Sequence, residues 1–242
     1  MRRVVEPELM TEEEQVRAYA EADFSSSHDR FVDLFRELFG KPRPAARVLD
    51  LGCGAADLAI RFARAFPGCR VHGLDGSAAM LRHGRARLAL AADLGGRVEL
   101  FQGLLPAGVP PLPRYDTVIC NSLLHHLHEP QVLWRAVRHY GRPGAPVLVM
   151  DLRRPATAAA AGRLRSRLAA DAPAVLARDF HRSLCAAFEP SEITVQLAAA
   201  GLASFMVREI GDCHLVAGGR LADAGALPAR PPAERKELTS ER

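Results

Sequence analysis

The run Arg47-Val48-Leu49-Asp50-Leu51-Gly52-Cys53-Gly54-Ala55-Ala56-Asp57-Leu58 constrains the fold of this chain more than any other stretch. Val48, Leu49 and Leu51 read as a short buried strand, and Leu58, Ile60, Phe62 and Ala63 open an apolar helical stripe beyond the glycines. Gly52 and Gly54 occupy the turn between them. Glycine admits positive φ and lets a ligand approach the backbone, while the following helix N-terminus offers unpaired N–H groups. Asp50, two positions before the first glycine, narrows the choice of ligand. A dinucleotide would place its pyrophosphate in such a turn, where a carboxylate repels it. Asp50 points instead to a cationic or amine-bearing ligand.

The rest of the chain alternates helical and strand patterns. Thr11 followed by Glu12, Glu13 and Glu14 predicts a helix start, with Val16, Tyr19, Ala20 and Phe24 recurring behind it. A second helix is expected over 29–39, and Lys41-Pro42-Arg43-Pro44 breaks it before the first strand. A helix over 56–66 and a strand over 69–74 follow. That strand ends at Asp75, about 20 residues beyond the glycine turn, where an acid binds ribose hydroxyls in doubly wound nucleotide sites. Ser77 serves the alternative role of helix cap. Further elements are expected as a helix over 78–94, strands over 97–102 and 115–121, a helix over 129–140 and a strand over 145–151. Thr157 to Phe188 reads as a helical insertion, Pro190 to Gly201 as a helix, and Ala203–Ile210 with Cys213–Ala217 as a closing antiparallel pair.

Taken in series, Asp50-Leu51-Gly52-Cys53-Gly54, Gly73-Leu74-Asp75-Gly76-Ser77-Ala78-Ala79-Met80, Asn121 with His125-His126-Leu127 and Pro130, and the two closing strands resemble the class I S-adenosylmethionine-dependent methyltransferases of small-molecule type. The resemblance covers about Val48 to Ala217. It implies an α/β fold: a doubly wound, Rossmann-like, seven-stranded and mostly parallel sheet, with an N-terminal helical lid (1–44), a core (45–219) carrying a helical cap insertion (156–189), and a tail (220–242) expected to be disordered. It implies S-adenosyl-L-methionine as cofactor and S-adenosyl-L-homocysteine as product. Asp50, Gly52, Cys53 and Gly54 would lie along the methionine part, Asp75 and Gly76 at the ribose, and Met80 beside the adenine. Gln102 or Gly103 would meet the adenine edge, because Leu104 stands where many relatives carry an acid. Asn121 would close the site from the fourth strand. The lid brings Tyr19, Phe24 and His28 to the acceptor, and the cap brings Asp179 and His181; for each of these, ordinary packing or a surface role is the alternative.

Methyl transfer from a sulfonium is an in-line displacement, so most of the acceleration comes from alignment, and a base is needed only where the acceptor must lose a proton. His126 and His125 are the candidate bases, with Tyr19 as a second proton-handling group. Asp151, leaving the fifth strand, either faces the substrate or pairs with Arg153 or Arg154. His125, His126 and His128 raise the question of a metal, but no cysteine or carboxylate pair lies nearby at ligand spacing, and none is expected. Five single cysteines argue for reduced thiols, and no apolar run or leader is evident, so a cytoplasmic protein is expected. The formal net charge of +4 admits nucleic acid, yet nearly all the positive charge is arginine, with lysine only at 41 and 236. A small-molecule acceptor is therefore expected, without nucleic-acid or membrane partners, in a monomer or homodimer. A nucleic-acid methyltransferase and a non-catalytic cofactor-binding regulator are the alternatives; a nicotinamide oxidoreductase conflicts with Asp50.

Overall fold

A computed structural model describes residues 1–222. Strands β1 (Arg47–Leu51), β2 (Arg70–Asp75), β3 (Val98–Gln102), β4 (Thr117–Asn121) and β5 (Pro146–Leu152) run parallel, and β6 (Met206–Ile210) and β7 (His214–Arg220) close the sheet in the order β3-β2-β1-β4-β5-β7-β6. Strand β7 lies antiparallel to both β5 and β6. This is the mixed seven-stranded α/β sheet expected from the sequence.

Strand alternation sorts the apolar side chains onto two faces. Leu49, Leu51, Val118, Cys120, Val147, Val149, Leu215 and Ala217 pack on one side with Trp134, Val137 and Leu197. Val48, Ile119, Leu148, Met150 and Val216 pack on the other with Phe31, Phe35, Phe62 and Phe66. Burial on both faces explains why the parallel strands read as nearly continuous apolar runs. The covering helices are α1 (Glu13–Glu21), α2 (Ser25–Phe39), α3 (Asp57–Ala65), α4 (Ala78–Ala89), α5 (Gln131–Tyr140), α6 (Ala158–Leu168), α7 (Ala174–Ala186) and α8 (Pro190–Ala199). Short 3₁₀ turns occupy Ala92–Leu94 and Leu124–His126.

The first forty residues, expected as a helical lid, divide between the core and the rim of the site. Helix α2 starts four residues earlier than its expected position and belongs to the core. Its Phe35 ring meets Phe62 edge-on, centroids 4.9 Å apart, and lies 5.7 Å from Phe66. Helix α1 packs against α4 and α7 and bridges the two sides of the site. Before it, residues 1–10 form an extended strap rather than a helix. Val4 N–H donates to Cys185 O (3.0 Å), and the Arg3 guanidinium donates to the carbonyls of Ala186, His125 and Leu127. Ser77 Oγ donates to Met10 O (2.7 Å), so the strap runs from the cap helix α7 to the end of β2.

Two boundaries also shift. Helix α4 ends at Ala89, short of the expected Leu94, and a 3₁₀ turn takes up the last residues before Gly95 and Gly96. Strand β7 continues to Arg220, with Gly218 and Gly219 opposite Leu148 and Val147. A Cβ at Gly218 would sit 2.5 Å from Val147 O, so glycine there reflects close backbone approach rather than the start of a tail. The expected disorder of 220–242 falls largely on residues 223–242, outside the described residues.

Candidate active site

The site opens at the C-terminal ends of β1, β2 and β4, where the strand order reverses and ligands bind in doubly wound sheets. The turn after β1 is wound tightly by left-handed backbone at Gly52 (φ 73°), Gly54 (φ 52°) and Ala56 (φ 63°). Gly52 N–H is held by Leu74 O (2.8 Å), and Gly54 N–H by Asp75 Oδ2 (2.8 Å). Asp75 Oδ1 accepts from Ser77 N–H (2.8 Å), so one carboxylate ties the turn after β1 to the turn after β2. Burial raises the Asp75 pKa, and the two N–H donors oppose that rise.

Asp50 is the most informative group. It is fully buried, and neither carboxylate oxygen has a hydrogen-bond partner. Burial, with the Asp75 charge adding to it, pushes its pKa up to about 8. An unpaired buried carboxylate is costly, and a cationic partner at this position would remove the cost. Asn121 Oδ1, at the end of β4, is also buried without a partner, while its Nδ2 donates to Ser122 Oγ (3.2 Å). Ser122 itself has φ 54°, an uncommon backbone for a residue other than glycine.

Two adjoining cavities share Met10, Tyr19, Ala22, Phe24, His28, Asn121, Ser122 and His126. The first is lined by Asp50, Gly52, Cys53, Gly54, Asp75, Gly76, Met80 and Gly103. It is narrow, about 110 Å³, because apolar side chains rest on its glycines: a Cβ at Gly76 would meet Leu9 at 2.8 Å, and one at Gly52 would meet Leu123 at 2.9 Å. The second, about 610 Å³, lies between the 3₁₀ turn Leu124–His126, the strap, α2, and helices α6 and α7. Its walls are Phe24, Leu152, Leu168, Leu176 and Phe180, with His125, His126, His214, Ser183 and Asp179 among its polar groups.

His125 is buried, its Nδ1 bonded to Asp151 Oδ1 and its Nε2 3.6 Å from Glu6 Oε1. Burial alone would lower its pKa, but the two carboxylates outweigh that and raise it. Its neighbour His126 goes the other way: burial and the His125 charge push it down to about 3, leaving a neutral ring. Tyr19, raised to about 12 by burial and nearby carboxylates, stays a phenol.

Of the residues expected at the site, Asp50, Gly52, Cys53, Gly54, Asp75, Gly76, Met80, Gly103, Asn121, Tyr19, Phe24, His28, His125, His126 and Asp179 line one cavity or both. Gln102 does not. Its side chain is exposed, on the last residue of β3, and Leu104 lines the cavity in its place. His181 lies on α7 but lines neither cavity; its Nε2 is 3.9 Å from Cys185 Sγ. Asp151 pairs with neither Arg153 nor Arg154. Its carboxylate holds His125 and accepts the N–H groups of Leu124 (2.7 Å) and Leu152 (2.6 Å), whereas Arg154 turns to Glu192 and Glu189. His28 Nδ1 is engaged by Asp57 Oδ2 (2.5 Å), and Asp179 by Arg178 Nε (2.9 Å), so both reach the larger cavity already paired. Glu6, Leu9, Met10, Ser183 and His214 were not foreseen; they lie in a segment without apolar period, within a helix, or beside a turn, and carry no motif.

This geometry agrees with what the chain resembles. The family described as methyltransferase domain matches residues 49–147. The ubiquinone biosynthesis O-methyltransferase of Serratia proteamaculans is 35% identical over 108 residues, covering 44% of this chain and 43% of that protein. Trans-aconitate 2-methyltransferase of Streptomyces avermitilis is 34% identical over 94 residues, covering 39% and 34%. The chain thus spans less than half the length of these curated relatives. Among solved structures, a SAM-dependent methyltransferase from Aquifex aeolicus superposes with TM-score 0.62 at 16% identity over 88% of this chain and 100% of that one. Human N-acetylserotonin methyltransferase in complex with SAM gives 0.60 at 19% identity over 87% and 55%. Residues 49–147 thus match a methyltransferase domain, and the chain shares the fold of solved S-adenosylmethionine-dependent methyltransferases. No helix among the described residues is long and apolar enough to cross a membrane.

Proposed function

We propose that the chain transfers a methyl group from S-adenosylmethionine to a small neutral or cationic acceptor. The observation that carries the reading is the Asp50 carboxylate, buried and unpaired beside the glycine turn, where it fits an ammonium group. Bound there, the cofactor supplies an electrophilic methyl carbon on a sulfonium. Asp50 holds the amino group, Gly52 to Gly54 give the methionine part room against the backbone, and Asp75 takes ribose hydroxyls. Met80 and Leu104 flank the base.

The acceptor takes the larger cavity. Its lining holds no lysine or arginine, and Asp23 and Asp171 stand exposed at its mouth. An anionic acceptor, such as the aconitate named for one relative, finds no counter-charge there, whereas an aromatic or aliphatic hydroxyl or amine meets apolar walls and histidine nitrogens. Tyr19 stays protonated and can donate to the acceptor atom; His126, pushed down to about 3, is uncharged but a weak base and serves to orient the acceptor rather than to take its proton. Nucleic acid is not proposed: two of the three arginines of α4 are engaged within the chain, Arg82 with Glu13 (2.9 Å) and Arg87 with the carbonyls of Ala20 and Ala55, which leaves no continuous basic face on that helix.

Titration calorimetry with S-adenosylmethionine and S-adenosylhomocysteine tests the cofactor half. Mass-spectrometric detection of S-adenosylhomocysteine with a panel of phenols, alcohols, amines and carboxylates tests the acceptor half. Absence of cofactor binding, or turnover confined to carboxylates, overturns the corresponding half.

A further inference from the structure

The strap delivers a carboxylate to two histidines. Glu6 Oε1 lies 3.6 Å from His125 Nε2 and 3.4 Å from His126 Nδ1, and the three ligand atoms are all within 4.8 Å of one another. Those separations are long for a hydrogen bond. The two to Glu6 match the ~3.4 Å edges of a tetrahedron whose centre is ~2.1 Å from each ligand atom, and the two imidazole nitrogens lie within 4.8 Å of each other. We propose that Glu6, His125 and His126 bind a divalent first-row transition-metal cation at the edge of the acceptor cavity.

The surroundings have the form of a metal site. Asp151 engages Nδ1 of His125 and so fixes the ring with Nε2 turned to Glu6, the carboxylate–histidine support that orients metal-bound imidazoles. Ser183 Oγ donates to Glu6 Oε1 (2.9 Å), and Arg3 pins the strap by donating to the carbonyls of His125 and Leu127. His126 Nδ1 is 3.3 Å from Pro7 O, so as an N–H it donates weakly to that carbonyl; metal binding takes the other tautomer, with the proton on Nε2. Two imidazoles and one carboxylate favour zinc, iron, cobalt or nickel over magnesium and calcium. Three protein ligands leave a further position, and both histidines line the acceptor cavity, so an acceptor oxygen or nitrogen can reach it. A metal was not expected from the sequence because the third ligand comes from the N-terminal strap, about 120 residues before the two histidines. The site stands on its own geometry; its role in holding the acceptor rests on the methyl-transfer reading.

The test uses the full chain, stripped with a chelator and dialysed, then titrated with zinc chloride by calorimetry and with cobalt chloride by visible absorption. The expected result is one zinc per chain and the intense cobalt bands of a four-coordinate site. Glu6→Gln and His126→Gln should each weaken zinc binding by at least ~100-fold, and Asp151→Asn by ~10–100-fold. Cofactor affinity, measured on the same preparations, should stay within ~3-fold in Glu6→Gln, which shows that the variant is folded. Zinc binding that is absent, or that survives both Glu6→Gln and His126→Gln, overturns the proposal. Zinc bound as described without methyl transfer to any acceptor removes the enzymatic reading and leaves the site; cofactor bound without zinc does the reverse.

Discussion

The two halves of the site are built differently. On the β1–β2 side every group that can hold a cofactor lies within a few residues of a strand end, and Asp75 alone staples the two turns through Gly54 N–H and Ser77 N–H. On the β4–β5 side the working groups come from the strap, a 3₁₀ turn, β5, α7 and the start of β7, joined by Asp151, His125, Glu6 and Ser183. The first half is a local consequence of strand–turn–helix geometry. The second exists only when the whole chain has folded. The two halves should therefore respond separately to substitution.

The largest separation is expected for Asp151→Asn. The amide cannot hold His125 in the same tautomer, so turnover should fall ~10²–10³-fold in steady-state kinetics, the scale of a lost proton-transfer or positioning group. The cofactor Kd should stay within ~3-fold. Loss of both would show that the two halves are coupled through β4 and β5. Next comes Asp75→Ala, with the opposite pattern. It removes the carboxylate proposed to take the ribose hydroxyls and frees Gly54 N–H and Ser77 N–H, so S-adenosylmethionine affinity should drop ~100-fold or more by calorimetry. Unchanged affinity would remove Asp75 from the cofactor site.

Asp50→Asn should be milder and has a sign that distinguishes it. The folded, cofactor-free chain keeps a proton on Asp50 up to about pH 8, whereas the unfolded chain loses it near ~3.9. That contribution to stability is fully present below ~pH 4 and is lost as the pH rises towards 8. The variant should therefore match the wild type in melting temperature only near ~pH 4 and exceed it by a growing margin as the pH rises to about 8. Each kcal/mol regained raises Tm by ~2–4 °C for a chain of this size. Cofactor affinity should move the other way: in the wild type it rises with pH as the carboxylate ionises to meet the ammonium, and in Asp50→Asn it is ~10-fold weaker near pH 8 and nearly independent of pH. A wild-type affinity that does not change between pH 5 and 8 would contradict the role given to Asp50.

This difference in construction also decides what could be read in advance. The sheet was legible because parallel strands buried on both faces carry apolar runs that nothing else explains, and the cofactor half because its residues are spaced by one strand and one turn. Asp151 was visible as a carboxylate at a strand end, but its partner was not: Arg153 and Arg154 are neighbours in sequence, yet alternate along the strand exit and turn to Glu209 and Glu192. Glu6 gave no signal at all, since an extended strap has no apolar period and its worth lies in contacts with residues far along the chain. Gln102 failed for a simpler reason. On the edge strand β3 its side chain takes the exposed face, and the adjoining Leu104 turns in.

The smallest expected effect tests whether the local half is as tightly specified as its backbone suggests. Ala56 takes φ 63° at the start of α3, where glycine is the residue that adopts such a backbone without strain. Relief of that strain by Ala56→Gly is worth ~1 kcal/mol. Its methyl group is fully buried, however, and lies where a Cβ on Gly84 would come within 3.3 Å of it. Removing it forfeits ~0.8 kcal/mol of burial. The two effects oppose one another, so the stability measured by urea unfolding should change by less than ~1 kcal/mol, with cofactor affinity unaltered. A loss of several kcal/mol would mean that packing between α3 and α4, rather than backbone conformation, holds the turn in place.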